Sequence, residues 1–123
     1  MANPNIINAT SIYGKTVFDA DIATSTSELL ENAASSGKVL KINSLIIANI
    51  DGTNAADITV TIESASGGTT YSHLAKTISV PADATLVVIS KDTSIYLEED
   101  RAIWIAASAS GDLSATCSYE EIS

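Results

Sequence analysis

The sequence predicts an all-β protein: a single antiparallel β-sandwich, jelly-roll-like, of about eight strands, behind an extended N-terminal arm. Three observations carry this. The chain is rich in Ile, Val and Thr, whose branched Cβ loses rotamer freedom in a helix and suits a pleated surface. Short apolar stretches recur roughly every 8–12 residues with Gly, Asp, Asn or Pro between them. No long stretch carries apolar side chains at i, i+3, i+4 and i+7, so no helix separates the strands as a βαβ unit requires. A length of 123 residues with 46% hydrophobic composition suits one domain around one core.

Residues 1–12 are polar, uncharged and Asn-rich, hold Pro4 and show no period. They read as the arm, and residues 13–123 as the sandwich domain. Tyr13 to Thr24 reads as a first strand with Val17 and Phe18 on opposite faces. Ser27-Glu28-Leu29-Leu30-Glu31-Asn32 fits either one helical turn capped by Ser27 or a short strand. From Lys38 a long strand follows. Leu40, Ile42, Ile46, Ala48 and Ile50 share its inward parity, while Lys41, Asn43, Leu45, Ile47 and Asn49 share the other. Asp51-Gly52-Thr53-Asn54 is a turn. Ile58, Val60 and Ile62 then alternate with Thr59, Thr61 and Glu63, the pattern of a half-buried strand. Gly67-Gly68 marks a hairpin break. Tyr71 to Val80 returns with Leu74, Ile78 and Val80 inward, until Pro81-Ala82-Asp83-Ala84 ends it. Leu86 to Ile89 and Ile95 to Leu97 are short apolar runs, followed by the acidic corner Glu98-Glu99-Asp100. Ile103, Ile105, Ala107 and Ala109 alternate up to the tight turn Ser110-Gly111-Asp112, and Leu113, Ala115, Cys117 and Tyr119 face inward on the last strand.

Charge removes whole classes of partner. Fifteen acidic residues against six basic ones leave a net charge of −9, which repels phosphate backbones and anionic lipid, so neither nucleic acid nor a membrane is expected. One Cys cannot make an internal disulfide, and one Cys with one His falls short of the usual structural zinc sites. No run approaches the roughly 18–20 apolar residues that span a bilayer. The first ten residues lack the basic and apolar regions of a secretory signal, so synthesis and folding in a cytoplasm are expected.

Catalytic chemistry finds little to work with, and no enzyme activity, cofactor or metal is expected. His73 lies on the parity opposite Leu74, Ile78 and Val80, facing solvent or a neighbouring subunit. No G-x-S-x-G elbow accompanies it. Cys117 has no basic neighbour in sequence to lower its pKa and reads as core filler. Glu98-Glu99-Asp100 lacks the ligand order of a calcium loop and reads as a solvated turn. Trp104 stands between Ile103 and Ile105 and so points away from their face, either into an interface or under the N-terminal arm. The outer-parity residues Leu45, Ile47, Val87 and Ile89 suggest a covered outer face. The interface candidates are therefore Ile6, Ile7, Ile12 and Tyr13 in and beside the arm, with Leu45, Ile47, Tyr71, His73, Tyr96 and Trp104.

The run Leu40 to Ile62 resembles small virion structural proteins of tailed bacteriophages, particularly those infecting cyanobacteria and other marine bacteria. So do Ala75 to Ala82, Ile95-Tyr96-Leu97-Glu98-Glu99, and the ending from Gly111-Asp112-Leu113 to Ser118-Tyr119-Glu120-Glu121-Ile122. The resemblance covers about residues 38–122 and rests on the style of strand and turn. It implies a β-sandwich repeated many times on a particle, and a virion location after synthesis in the bacterial host cytoplasm. The leading expectation is a capsid decoration (cement) protein that binds the major capsid protein and its own copies, as a homo-oligomer, expected to be a trimer. The alternative is a neck, tail or fibre component that recognises host carbohydrate, with Trp104, Tyr71 and Tyr96 as stacking surfaces.

Overall fold

A computed structural model describes residues 3–123. Nine strands follow in order: β1 (Ile12–Asp19), β2 (Ser27–Asn32), β3 (Val39–Asn49), β4 (Ala56–Glu63), β5 (Thr70–Val80), β6 (Thr85–Ile89), β7 (Ile95–Leu97), β8 (Arg101–Ala107) and β9 (Leu113–Ile122). They form two antiparallel sheets. The first runs β1-β9-β3-β6, with β7 also on β3, and the second runs β2-β8-β4-β5. Early and late strands interleave in both, which is the winding of a jelly roll. The expected count of about eight becomes nine because residues 27–32 add a strand; the two short apolar runs share one edge, β6 pairing with Leu45–Ala48 of β3 and β7 with Leu40–Ile42. A short 3-10 turn over Lys91–Thr93 separates them.

Residues 27–32 are strand β2, which resolves the helix-or-strand ambiguity. A register shift between Glu28 and Leu30 lets both Leu29 and Leu30 be buried, something a regular strand cannot do. The first strand ends at Asp19, short of the expected Thr24. The arm is shorter too. Its pairing begins before residue 12: Ser11 and Ser123 exchange main-chain hydrogen bonds at 3.0 Å, and Ile12 lies opposite Ile122.

The core fills the space between the sheets with Ile42, Leu45, Ile47, Ile58, Val60, Leu97, Ile103, Ile105, Leu113, Ala115 and Cys117 among others. Leu45 and Ile47 were expected on the outer face, and this is corrected: both are fully buried in the core. The cause is one extra residue in β3. Ile42 pairs with Tyr119 but Ser44 with Ser118, so Asn43 is bulged and every side chain after it changes face. Ile46 and Ala48 are accordingly turned outward and Ile50 is exposed, against their expected inward parity. The same effect in β6, where Leu45 pairs with Ile89 and Ile46 with Val87, puts Ile89 inside while Val87 stays outside.

Two buried asparagines fasten the ends of the sandwich. Asn49 Nδ2 donates to the carbonyls of Asn54 and Val80 at 3.0 and 2.9 Å, tying the β3–β4 turn to β5. At the opposite end Asn32 Nδ2 donates to the carbonyls of Lys38 and Leu97, both at 2.9 Å. The bonds to Val80 and Leu97 are buried, so each asparagine supplies a donor to a main-chain acceptor shielded from water.

Candidate interaction surface

Residues directly opposite in an antiparallel pair face the same side, so register locates the outer face of the first sheet. One row reads Phe18, Thr116, Ile46, Val87, from β1 through β9 and β3 to β6. Phe18 is 71% exposed and Val87 55%. Ile50 is 57% exposed and lines a groove of about 350 Å³ with Phe18, Asp19, Ala20, Ser114, Ala115 and Thr116. The row crosses all four strands without a charged side chain; β9 contributes the exposed Thr116, and on β1, β3 and β6 the row is apolar. Leaving such side chains in water forgoes roughly 1.5–3 kcal/mol each. Among these residues only Val87 stood out in the sequence as outward-facing. Phe18, Ile46 and Ile50 were hidden by the bulge or by a first strand drawn too long.

Toward the other end of the same face, the arm folds back on its own chain. Asn3, Pro4 and Ile6 line a groove of about 350 Å³ with Val39, Tyr96 and Glu98. Asn3 Nδ2 donates to Glu98 Oε1 at 2.6 Å. Val39 and Ile122 share a row with Ile12 and are buried, yet they belong outside the core cluster. Of the expected interface residues the structure therefore brings Ile6 and Tyr96 together. Ile7, Ile12 and Tyr13 are exposed nearby or along β1.

The second sheet carries the remaining candidates. Tyr71 is exposed with the Arg101 guanidinium 4.1 Å above its ring, an arrangement that attracts through the ring quadrupole. His73 is exposed opposite Thr61, which in turn is opposite Trp104. Trp104 does point outward, and within the chain it is not the arm that covers it. The turn between β4 and β5 does. Trp104 Nε1 donates to the Ser64 carbonyl at 3.3 Å, and a Cβ on Gly67 would stand 3.3 Å from Trp104 Cζ2. Half-buried in this way, the indole offers no open stacking platform.

Titration follows burial and neighbours. Burial pushes the Cys117 thiol up to about 12. Glu28 is raised by burial and then by the nearby Glu31 charge. Burial tends to raise Glu121, but hydrogen bonds from Lys38 and Lys15, both 3.2 Å away, outweigh it and hold the carboxyl below its ordinary value. The acidic corner is not the solvated turn expected. Glu99 is buried, and its Oε2 accepts the Gly37 N–H at 2.7 Å, while Oε1 meets no partner among the described residues. Among the described residues no three His, Cys, Asp or Glu side chains gather into a group suited to a metal ion, and no helix is long and apolar enough to cross a membrane.

No protein-family model matches the chain, and no curated protein matches it. A solved structure does. It is described by the words "Bacillus endospore appendages form a novel family of disulfide-linked pili", and it superposes with a TM-score of 0.52 over all of this chain and 96% of that one, at 16% identity. The likeness is one of fold. It agrees with the sandwich and assigns no residue a role.

Proposed function

We propose that this chain is a non-enzymatic structural protein of a tailed-phage particle, a capsid decoration protein that docks on the major capsid protein and associates with its own copies. The observation that carries the reading is the uncharged apolar band of Phe18, Ile46, Val87 and Ile50 across the outer face of the first sheet. Large exposed apolar patches on small proteins mark surfaces that another protein covers. The resemblance of residues 38–122 to phage virion proteins supports the particle, and a sandwich neighbour that builds pili supports use of this fold in repetitive assembly. Attachment here would not use a disulfide, since the one cysteine of the sequence is buried in the core.

Particles stripped of the protein and remixed with it provide the test. Wild-type chain is expected to rebind in many copies, whereas Val87→Asp combined with Ile50→Asp retains its thermal unfolding transition and fails to bind. Undiminished binding by that folded variant removes the band as the docking face. Binding in only a few copies per particle moves the protein to the neck or tail.

A further inference from the structure

We infer that two copies of this chain pair through the free edge of β1, antiparallel about a two-fold axis that sets Thr16 opposite Thr16 of the second copy. This deepens the assembly reading, on which it rests for its purpose, and concerns the free protein in solution. The sandwich has four sheet edges, and three are interrupted. β5 departs from regular register with β4 at three places and holds Thr77 at φ +47°. β2 is shifted between Glu28 and Leu30 and carries Glu28 and Glu31. The edge opposite β1 is divided between the five residues of β6 and the three of β7. Bulges, breaks and charges are how proteins keep sheet edges from pairing with other chains. β1 has no break: Ile12 to Asp19 pairs with Ile122 to Ala115 without a shift.

The direction of its free groups follows from one pair. Ser11 and Ser123 exchange both main-chain bonds at 3.0 Å, so Ser11 faces β9. In an antiparallel ladder such residues alternate. Tyr13, Lys15 and Val17 therefore also bond to β9, while Ile12, Gly14, Thr16 and Phe18 aim their N–H and C=O at the open edge. Among the described residues no backbone group pairs with these four. Their side chains lie on the outer face, and a Cβ on Gly14 would meet nothing within 4 Å.

A second copy of β1 fits this edge. Registers that set open-edge residues against one another keep outer faces together. One centred on Gly14 carries Phe18 past the Ile12 end of the strand, one centred on Val17 forms only two hydrogen-bonded pairs, and two remain. One sets Lys15 directly against the second copy's Lys15, which like charge disfavours. The other sets Thr16 against Thr16 and each Phe18 over the opposing Gly14, where the open space above glycine receives the ring. It forms three hydrogen-bonded residue pairs, about six main-chain bonds. Lys15 and Asp19 leave β1 formally neutral in a chain of net charge −9, so the edge is also the place where two copies repel least. A self-complementary edge closes as a pair, in place of the trimer expected from the sequence.

The test needs no particle, so its failure leaves the docking band untouched. Sedimentation of the full chain is expected to show a reversible monomer–dimer equilibrium. Thr16→Pro removes an N–H that faces outward and not β9, so the sandwich keeps its ladder while the dimer dissociation constant rises by at least about tenfold. Thr16→Cys places two thiols on Cα atoms about 5.5 Å apart, within disulfide reach, so mild oxidation is expected to give a covalent dimer. A chain that stays monomeric up to about 1 mM, a folded Thr16→Pro protein that dimerises as tightly as wild type, or no cross-link in Thr16→Cys, each overturns the pairing.

Discussion

Cys117 lies on β9 opposite Val17 and Leu45, with no exposed surface, and burial moves its thiol from an ordinary 9.0 to about 12. A thiol kept protonated is a poor nucleophile, so the native protein is expected to ignore thiol reagents at neutral pH and to react fully once unfolded. The same shift makes stability depend on pH. The folded state holds the proton more tightly than the unfolded chain does, so the contribution is complete below pH 9 and drains away as pH rises toward 12. Urea midpoints of wild type and Cys117→Ala, compared at about pH 8 and about pH 10.5, should converge at the higher pH; a constant gap would mean the thiol is wetter than its packing indicates. This residue was legible in the sequence because β9 keeps strict alternation from Leu113 to Tyr119. Leu45 and Ile47 were not, although they are chemically plainer, because Asn43 is bulged upstream and no feature of Ile-Asn-Ser announces a bulge.

Among elements, the β4–β5 hairpin is the one whose turn does most beyond reversing the chain. Gly67 and Gly68 were recognisable as a break, and both take positive φ, +81° and +95°. What the sequence could not show is that the turn lies back over the outer face of the second sheet and roofs Trp104, with Ser64 supplying the acceptor for the indole N–H. That contact spans 40 residues, a distance at which alternation patterns say nothing. Gly67→Ala meets two obstacles together: a left-handed backbone that disfavours a side chain by roughly 1–2 kcal/mol, and the Trp104 ring 3.3 Å from the new methyl. The expected outcome is a loss of about 1–2 kcal/mol in urea unfolding and a red shift in the emission of the only tryptophan. An unchanged spectrum would show that the ring is not held by this turn. Edge strands were the least legible elements. β5 absorbs three shifts and leaves Ile78 exposed at 43%, so its simple inward parity fails there.

For the whole molecule, chain ends decide closure. The first strand pairs with the last, and β9 sits between β1 and β3 at the centre of its sheet. The fold class was legible because composition, turn spacing and the lack of helical periodicity all reflect global architecture. The path of the arm was not, because Asn3 to Asn8 carries no period and is placed by what it covers. Its short 3-10 turn over Ile6–Asn8 is capped by Asn5 and followed by extended backbone at Ala9, which leaves Ala9 a natural point of severance. Removing residues 1–9 keeps the Ser11–Ser123 bonds and the full length of β1, but takes Asn3, Pro4 and Ile6 away from Val39 and Tyr96. Uncovering an aliphatic side chain such as Val39 costs about 1.5–3 kcal/mol at most. The shortened protein should therefore unfold cooperatively with a nearly unchanged urea slope and a midpoint lowered by that amount. Loss of the cooperative transition would make the arm part of the core rather than its cover, and no loss of stability would mean that Val39 is shielded without it.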